Sequence, residues 1–348
     1  MDQTSSYAVR ELDRTAETAW DEFATANGKG TFFHLSGWQR IIGDVLRHPT
    51  FYLYCEKDGA IVGILPLAQV KSLLFGNALI SSPFLVYGGV VAQDPHAEKL
   101  LVEAACRKAD ELGVDYLEIR NRESSGLGWP CKTNYVTFTK ELDPDPEKNL
   151  LAIPRKQRAM IRKGIKAGLV ADQDPDAGRL YEALLPCKRN LGTPFFSKRY
   201  LESIMGEFGD SVEITTITKD SQTVCSVMSF RFRDEILPYY GGGGDLARVL
   251  KGNDFMYWAV MERACQDGVR LFDYGRSMEG TGPYRFKKHW GFEPRPMSYE
   301  FYLVNSDSMP NLNPSNAKYK LAIDAWKKLP LFAAARLGPP LALSLIHI

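Results

Sequence analysis

Three stretches of this 348-residue chain recur in the same order roughly one domain length further on, as a duplicated fold requires. "CEKDGAIVGILPLAQV" from Cys55 and "ITKDSQTVCSVMSFRF" from Ile217 each place a Lys-Asp turn before a β-rich run, a hairpin signature. "LVYGGVVA" from Leu85 and "PYYGGGGDLA" from Pro238 each carry an apolar strand into Tyr-Gly-Gly. "ADELGVDYLEIRNR" from Ala109 and "ACQDGVRLFDYGRS" from Ala264 repeat Ala, Gly-Val and an acidic residue at equal spacing. Three ordered matches constrain the fold more than any single motif. Each half then reads as helices, a strand hairpin, a strand ending in Tyr-Gly-Gly, a long helix and a further strand. The long helices are expected over 97–112 and 254–266, and the strands after them over 116–120 and 271–274. Residues 50–125 and 212–280 should share one topology. The class is α/β, with two mixed, mostly antiparallel sheets flanked by helices.

The Asp-Pro-Asp-Pro run at 143–146 marks a boundary near 145, so the expected domains are 1–145 and 146–304. Residues 305–348 are read as a peripheral helix near 318–328 and a poorly ordered tail. Proline and glycine interrupt both apolar runs, the one from Leu73 and the one at the C-terminus, so neither predicts a transmembrane segment. The first stretch is expected to be buried strand.

Forty-three Lys plus Arg against forty-two Asp plus Glu leave a net charge of +1, so an anion site has to be local. Six cysteines without a C-x-x-C pair, and five histidines without ligand spacing, point to reduced thiols and no metal. The N-terminus lacks a basic and apolar leader, and a cytoplasmic location is expected.

From Lys148 to Ala171 the chain carries seven cations and no acid. Arg155, Arg158, Arg162 and Lys166 fall on one stripe of a helix over 153–168, with Ile161 and Ile165 facing inward. The stripe suits phosphates or a solvated face equally well. Four glycines at 241–244 suit a close backbone approach to a ligand, or a turn. No phosphate-loop or dinucleotide pattern accompanies them.

The densest stretch is "FDYGRSMEGTGPYRFKKHWGF". Pro283 and Gly291 bracket a two-turn helix, with Phe286 and Trp290 inward, Arg285 and His289 on another face, and Lys287 and Lys288 to the side. Asp273 and Arg276 follow the preceding strand, where binding groups gather.

With "FFHLSGW" from Phe32, "RKQRAMIRKGIKAGL" from Arg155 and "YYGGGG", this stretch resembles the FemAB-related proteins of the BioF2-like acyltransferase superfamily, in the branch associated with exosortase/PEP-CTERM systems. The resemblance spans about residues 30–304. It implies two tandem GNAT-like (acyl-CoA N-acyltransferase) domains and transfer of an acyl or aminoacyl group to an amine on a cell-envelope or exopolysaccharide precursor. By the same resemblance Lys287 matches a lysine tied to donor or acceptor phosphates, Arg158, Arg162 and Lys163 a basic interdomain helix, and Tyr240 a strand facing the cleft. Catalytic candidates are therefore Lys287, Tyr240 and Asp273. Arg158, Arg162, Lys163, Arg276, Tyr284 and Arg285 are the substrate-binding candidates.

Two departures bear on the partners. Arg40 and Ile42 follow Trp38 where the peptidoglycan enzymes carry a lysine, which argues against a muropeptide acceptor. The coiled-coil arms of tRNA-using members have no heptad run here. The [RQ]-x-x-G-x-[GA] coenzyme A pattern is also missing, so acyl-CoA and aminoacyl-tRNA both stand as co-substrates, with no permanently bound cofactor. The acceptor is expected to be a small or lipid-linked molecule, with peripheral membrane contact. Amine acylation needs a deprotonated nucleophile and donors for an oxyanion, and Asp273, Tyr240 and Glu279 are the candidate proton acceptors. The rival readings are an RNA- or glycan-binding module without catalysis and a degenerate scaffold.

Overall fold

A computed structural model describes residues 6–72, 76–310 and 317–343. The first part of the chain forms β1 (Tyr7–Glu11), α1 (Glu17–Ala26), α2 (Gly37–Arg40), β2 (Thr50–Lys57), β3 (Ala60–Ser72), β4 (Gly76–Ser81), β5 (Val91–Ala92), α3 (Pro95–Leu112), β6 (Tyr116–Asn121) and β7 (Cys131–Lys132). Next come β8 (Tyr135–Glu141), α4 (Pro146–Ala152), α5 (Arg155–Lys166), β9 (Val170–Gln173), α6 (Gly178–Leu191), α7 (Lys198–Phe208), β10 (Val212–Lys219), β11 (Gln222–Phe232) and β12 (Glu235–Gly243). The remainder is α8 (Asp245–Leu250), α9 (Gly252–Gln266), β13 (Leu271–Asp273), β14 (Ser277–Met278), α10 (Gly282–His289), β15 (Pro294–Pro296), β16 (Ser298–Leu303), α11 (Ala317–Lys327) and α12 (Leu331–Ala342).

Two compact units result. The first takes the chain up to Asn134 and a stretch that begins at Pro296, and the second takes Tyr135–Arg295 and the C-terminal helices up to Leu343. The sheet of the first unit runs β1-β2-β3-β4-β6-β16-β7, with β5 beside β3. That of the second runs β14-β8-β13-β12-β11-β10-β9, with β15 beside β8.

The duplication is present as topology. In the first unit an antiparallel hairpin leads through β4 and α3 to β6, which pairs with β4 in parallel. In the second the hairpin β10–β11 leads through β12 and α9 to β13, parallel to β12. Both hairpin turns place two residues at positive φ, Asp58 and Gly59 in one and Asp220 and Ser221 in the other, the geometry that follows strand twist. Asp94 caps α3 by accepting from the amides of His96 and Ala97, and Gly113 at φ 57° ends it. The inward side chains of α3, among them Leu101 and Ala105, pack with Leu53, Leu67 and Leu117 of the sheet. In the second unit Ile161, Trp258, Phe272 and Trp290 share one core with Phe138, Val227 and Ile236.

Five expectations are corrected. The boundary is not at 145: Asp145 caps α4 by accepting from Glu147 N, so the Asp-Pro run forms the corner between β8 and α4 within the second unit. Nor does the second unit run to 304, because β16 pairs with β6 and β7. Tyr87-Gly88-Gly89 lies in a loop beyond β4, whereas Tyr240-Gly241-Gly242 lies within β12. Ile165 is 50% exposed, and Gln157, Ile161 and Gly164 form the inward face of α5 instead. There a Cβ on Gly164 would come within 2.8 Å of Phe255 Cβ, so the close approach of α5 to α9 selects glycine. Of the C-terminal tail, residues 331–342 are helical despite Pro339 and Pro340, with Ala334, Gly338 and Ala342 buried. Residues 73–75, 311–316 and 344–348, on which parts of the apolar-run and tail readings fall, lie outside the described residues.

Candidate active site

The parallel strands of the second unit separate almost as soon as they meet. β12 and β13 pair only through Glu235 with Leu271 and Ile236 with Phe272. β13 ends at Asp273, while β12 runs on to Gly243 against β11. Met228 pairs with Tyr240 and Ser229 with Pro238, leaving Tyr239 as the extra residue of a bulge. A bulge bends its strand and breaks the ladder locally. Backbone groups of β12 beyond Ile236 thus line a fork whose other lip is the segment 274–278. Leu237 marks its apex, since a Cβ on Gly275 would sit 3.2 Å from Leu237 Cδ1.

Lys287 reaches this lip from α10. The helix begins with Thr281 accepting from Tyr284 N and with Pro283 in its first turn. Lys287 Nζ donates to Gly275 O at 2.8 Å and to Arg276 O at 3.0 Å. The ammonium also lies 5.6 Å from the Phe138 ring centre and 6.0 Å from that of Tyr274. Only 8% of the residue is exposed. Burial brings its pKa down to about 7; Asp273 pulls upward and Arg276 downward. A side chain expected to stand free of the packing face is therefore part of it. Trp290 is fully buried as expected, 5.7 Å from Tyr274 and 6.1 Å from Phe286, but Phe286 itself is only partly covered.

Asp273 is buried, and its Oδ1 accepts from Gly275 N at 2.7 Å and from Thr137 Oγ1 at 3.3 Å. Arg276 lies over the Tyr135 ring at 4.5 Å, and Tyr284 packs edge-on against Phe138 at 5.5 Å. Lys287, Asp273, Arg276 and Tyr284 thus come together around the end of β13. Tyr135, Thr137 and Phe138 complete the group from β8. The alternating pattern of "YVTFTKE" marks β8 as a strand, but its position before the Asp-Pro run assigned it to the other half.

The other candidates make different contacts. Tyr240 is buried among Phe195, Tyr200 and Phe230, and its hydroxyl shares a 2.9 Å hydrogen bond with that of Tyr200, a partner the sequence did not single out. Burial pushes the Tyr240 phenol well above its ordinary range. Arg162 and Lys163 are exposed on α5, and Arg158 donates to Leu151 O at 2.9 Å. Arg285 is exposed and donates to Gly280 O at 2.8 Å; Glu279 is exposed in the turn before α10. None of Gly241–Gly244 has a positive φ. A Cβ on Gly242 would meet Ala183 O at 2.8 Å, so this glycine admits the backbone of α6, not a ligand. α10 finishes beside α5: Gly291 would place a Cβ 3.1 Å from Pro154 Cδ, at the residue before α5.

The first unit is built differently at the matching place. β4 and β6 stay paired through Ala78–Tyr116, Leu79–Leu117 and Ile80–Glu118. Glu118, the counterpart of Asp273 in the repeat, is buried and ion-paired at 2.8 Å with Arg120, whose guanidinium donates to Leu85 O at 2.6 Å. The "FFHLSGW" motif braces the loop that follows β4. His34 Nδ1 accepts from Thr31 N, so its Nε2 carries the proton and donates to Gly89 O at 2.9 Å.

Residues 154–288 match an acetyltransferase (GNAT) domain, and on that match the chain is an acyltransferase. Solved structures similar to it include FemX, with 14% identity, TM-score 0.68 and coverage of 86% of this chain and 98% of that one. A tandem GNAT protein from the clavulanic acid biosynthesis pathway has 13% identity, TM-score 0.57 and coverage of 87% and 100%. The C-terminal domain of a putative lysylphosphatidylglycerol synthetase from Agrobacterium fabrum has 12% identity, TM-score 0.57 and coverage of 84% and 92%. At these identities the likeness is one of fold: two GNAT-like domains in tandem. A search of curated proteins gave no significant match.

Proposed function

We propose that the chain is an N-acyltransferase whose second unit holds the donor at the β12–β13 fork and passes its acyl or aminoacyl group to an amine. The observation that carries this reading is the fork with buried Lys287 at its lip. A carbonyl seated there meets β12 amides that have left the ladder, and such N–H groups stabilise an oxyanion as it forms. The amine attacks as the free base, forming the new C–N bond, and the leaving thiolate or ribose oxygen departs with a proton. With a pKa of about 7, Lys287 is roughly half neutral at that pH and suited to take the proton that the attacking amine releases. Asp273, which bonds to Gly275 N, orients the lip that Lys287 grips. Tyr240 keeps its proton, because burial pushes the phenol upward, and through its bond to the Tyr200 hydroxyl it holds β12 in place.

Arg158, Arg162 and Lys163 hold donor phosphates, and Arg276, Tyr284 and Arg285 contact the acceptor around α10. An amine on a cell-envelope or exopolysaccharide precursor is the proposed acceptor, which the sequence resemblance to the exosortase-associated branch supports. The fold likeness to a synthetase named for a lysylated lipid supports keeping aminoacyl-tRNA beside acyl-CoA as donor. A melting screen over acyl-CoA thioesters, charged tRNA and nucleotide sugars tests the reading. A donor at a hundredfold excess over its Kd adds about 2.7 kcal/mol of stability. Stabilisation by a thioester or charged tRNA, followed by transfer to an amine, is expected; no response to either donor class overturns the proposal.

A further inference from the structure

The outer face of α12 lacks the charge pattern of a solvated helix. Its inner face is small, with Ala334, Gly338 and Ala342 buried at every fourth position. A Cβ on Gly338 would stand 2.9 Å from Phe195 O, which places that side hard against the second unit. The outer side presents Phe332, 77% exposed, together with Arg336 and Leu337. α12 contains no acid.

α11 extends the same chemistry. Leu321 is 80% exposed, and Lys320, Lys327 and Lys328 are exposed near it. Asp324 is the one acid in residues 317–343. α6 holds this pair of helices in place, because Arg189 Nη1 donates to Leu329 O at 2.8 Å at the corner between them. At the end of α6 a Cβ on Gly192 would lie 2.5 Å from Ile323 Cγ2, so exposed Leu191 adds a further apolar side chain beside α11.

We propose that the outer surface of α11 and α12 docks on an anionic phospholipid bilayer, with Phe332 and Leu337 entering the headgroup boundary and Lys320, Lys327, Lys328 and Arg336 meeting lipid phosphates. Cations interleaved with an aromatic and leucines, set against the single exposed acid Asp324, are what an interfacial helix presents. The surface lies on a membrane and does not span one. Among the described residues no helix is long and apolar enough to cross, and the 12 residues of α12 give about 18 Å against about 30 Å of hydrocarbon. Such docking holds the enzyme at the layer where a lipid-linked amine resides, yet it rests on the surface alone and not on the transfer reaction.

The test is cosedimentation of the full chain with vesicles of phosphatidylcholine alone and with about one-third phosphatidylglycerol, beside the molar mass in solution. Binding to the anionic vesicles, weakened by salt and at least about tenfold by Lys327→Glu with Lys328→Glu, supports the proposal. Phe332→Ser with Leu337→Ser should abolish binding while leaving the melting temperature in place. Absence of vesicle binding, equal binding to both vesicle types, or binding indifferent to Phe332→Ser overturns it. A dimer that Phe332→Ser dissociates, with no affinity for vesicles, assigns the face to a second copy of the chain and also overturns it.

Discussion

Lys287 is where packing and chemistry meet in one side chain. Its pKa is lowered to about 7, so between that pH and the ordinary lysine range near 10.5 the unfolded chain binds the extra proton. Stability gained from Lys287 therefore rises with pH from about 7 upward and is lost as pH falls toward 7. The melting temperature of Lys287→Met should lack that rise, and a parallel pH profile for both proteins would contradict the buried position. Trp290 belongs wholly to the core, and Trp290→Ala should lower stability by about 3–5 kcal/mol in a denaturant titration. A loss under about 1 kcal/mol would mean that the ring contacts with Tyr274 and Phe286 are loose. The spacing of Phe286 and Trp290 predicted the packing of Trp290 correctly. It misplaced Lys287, because on so short a helix the core takes positions 287 and 290, three apart, in preference to 286 and 290. Nothing local marks Gly275 and Arg276 as the carbonyls that receive an ammonium.

At the level of elements, periodicity read the long helices and hairpins well and the ends of strands poorly. α3, α9, β6 and β13 fall within a few residues of their expected spans, because each carries a full apolar face with a turn or cap at its end. β8 and β16 were assigned to the wrong halves, since a strand declares its partner through pairing and not through its own pattern. α5 shows both outcomes. Its basic stripe is exposed as the spacing predicts, but the inward line follows Gly164, which admits Phe255, in place of Ile165. Gly164→Val should lower the melting temperature by an amount equivalent to about 1–3 kcal/mol through overpacking against α9. Arg158→Glu with Arg162→Glu should weaken donor binding in a titration and shift stability by under about 0.5 kcal/mol. Unchanged affinity in that double variant would return the stripe to a solvated face.

Across the whole chain, the repeat preserves topology while the two units diverge at the parallel pair. In the second unit the strands part beside Lys287 and Asp273; in the first they stay paired, and Arg120 fills the matching ground with Glu118. Removing one member of that buried pair strands a charge, so Arg120→Met should destabilise by about 3–5 kcal/mol, read from chemical unfolding. The internal matches in the sequence made the duplication legible. They could not reveal the fork, because it depends on where β13 stops, and that is decided by Asp273 turning to bond Gly275 N. The most direct test of donor chemistry at this fork is the pH dependence of acyl transfer by the native protein, Lys287→Met and Lys288→Met, with acetyl-CoA and charged tRNA as donors. The expected result is a native rate that rises through a midpoint near pH 7, a native-like Lys288→Met, and a Lys287→Met slower by about 10²–10⁴-fold without that midpoint. A folded Lys287→Met that transfers at the native rate across the pH range would contradict it.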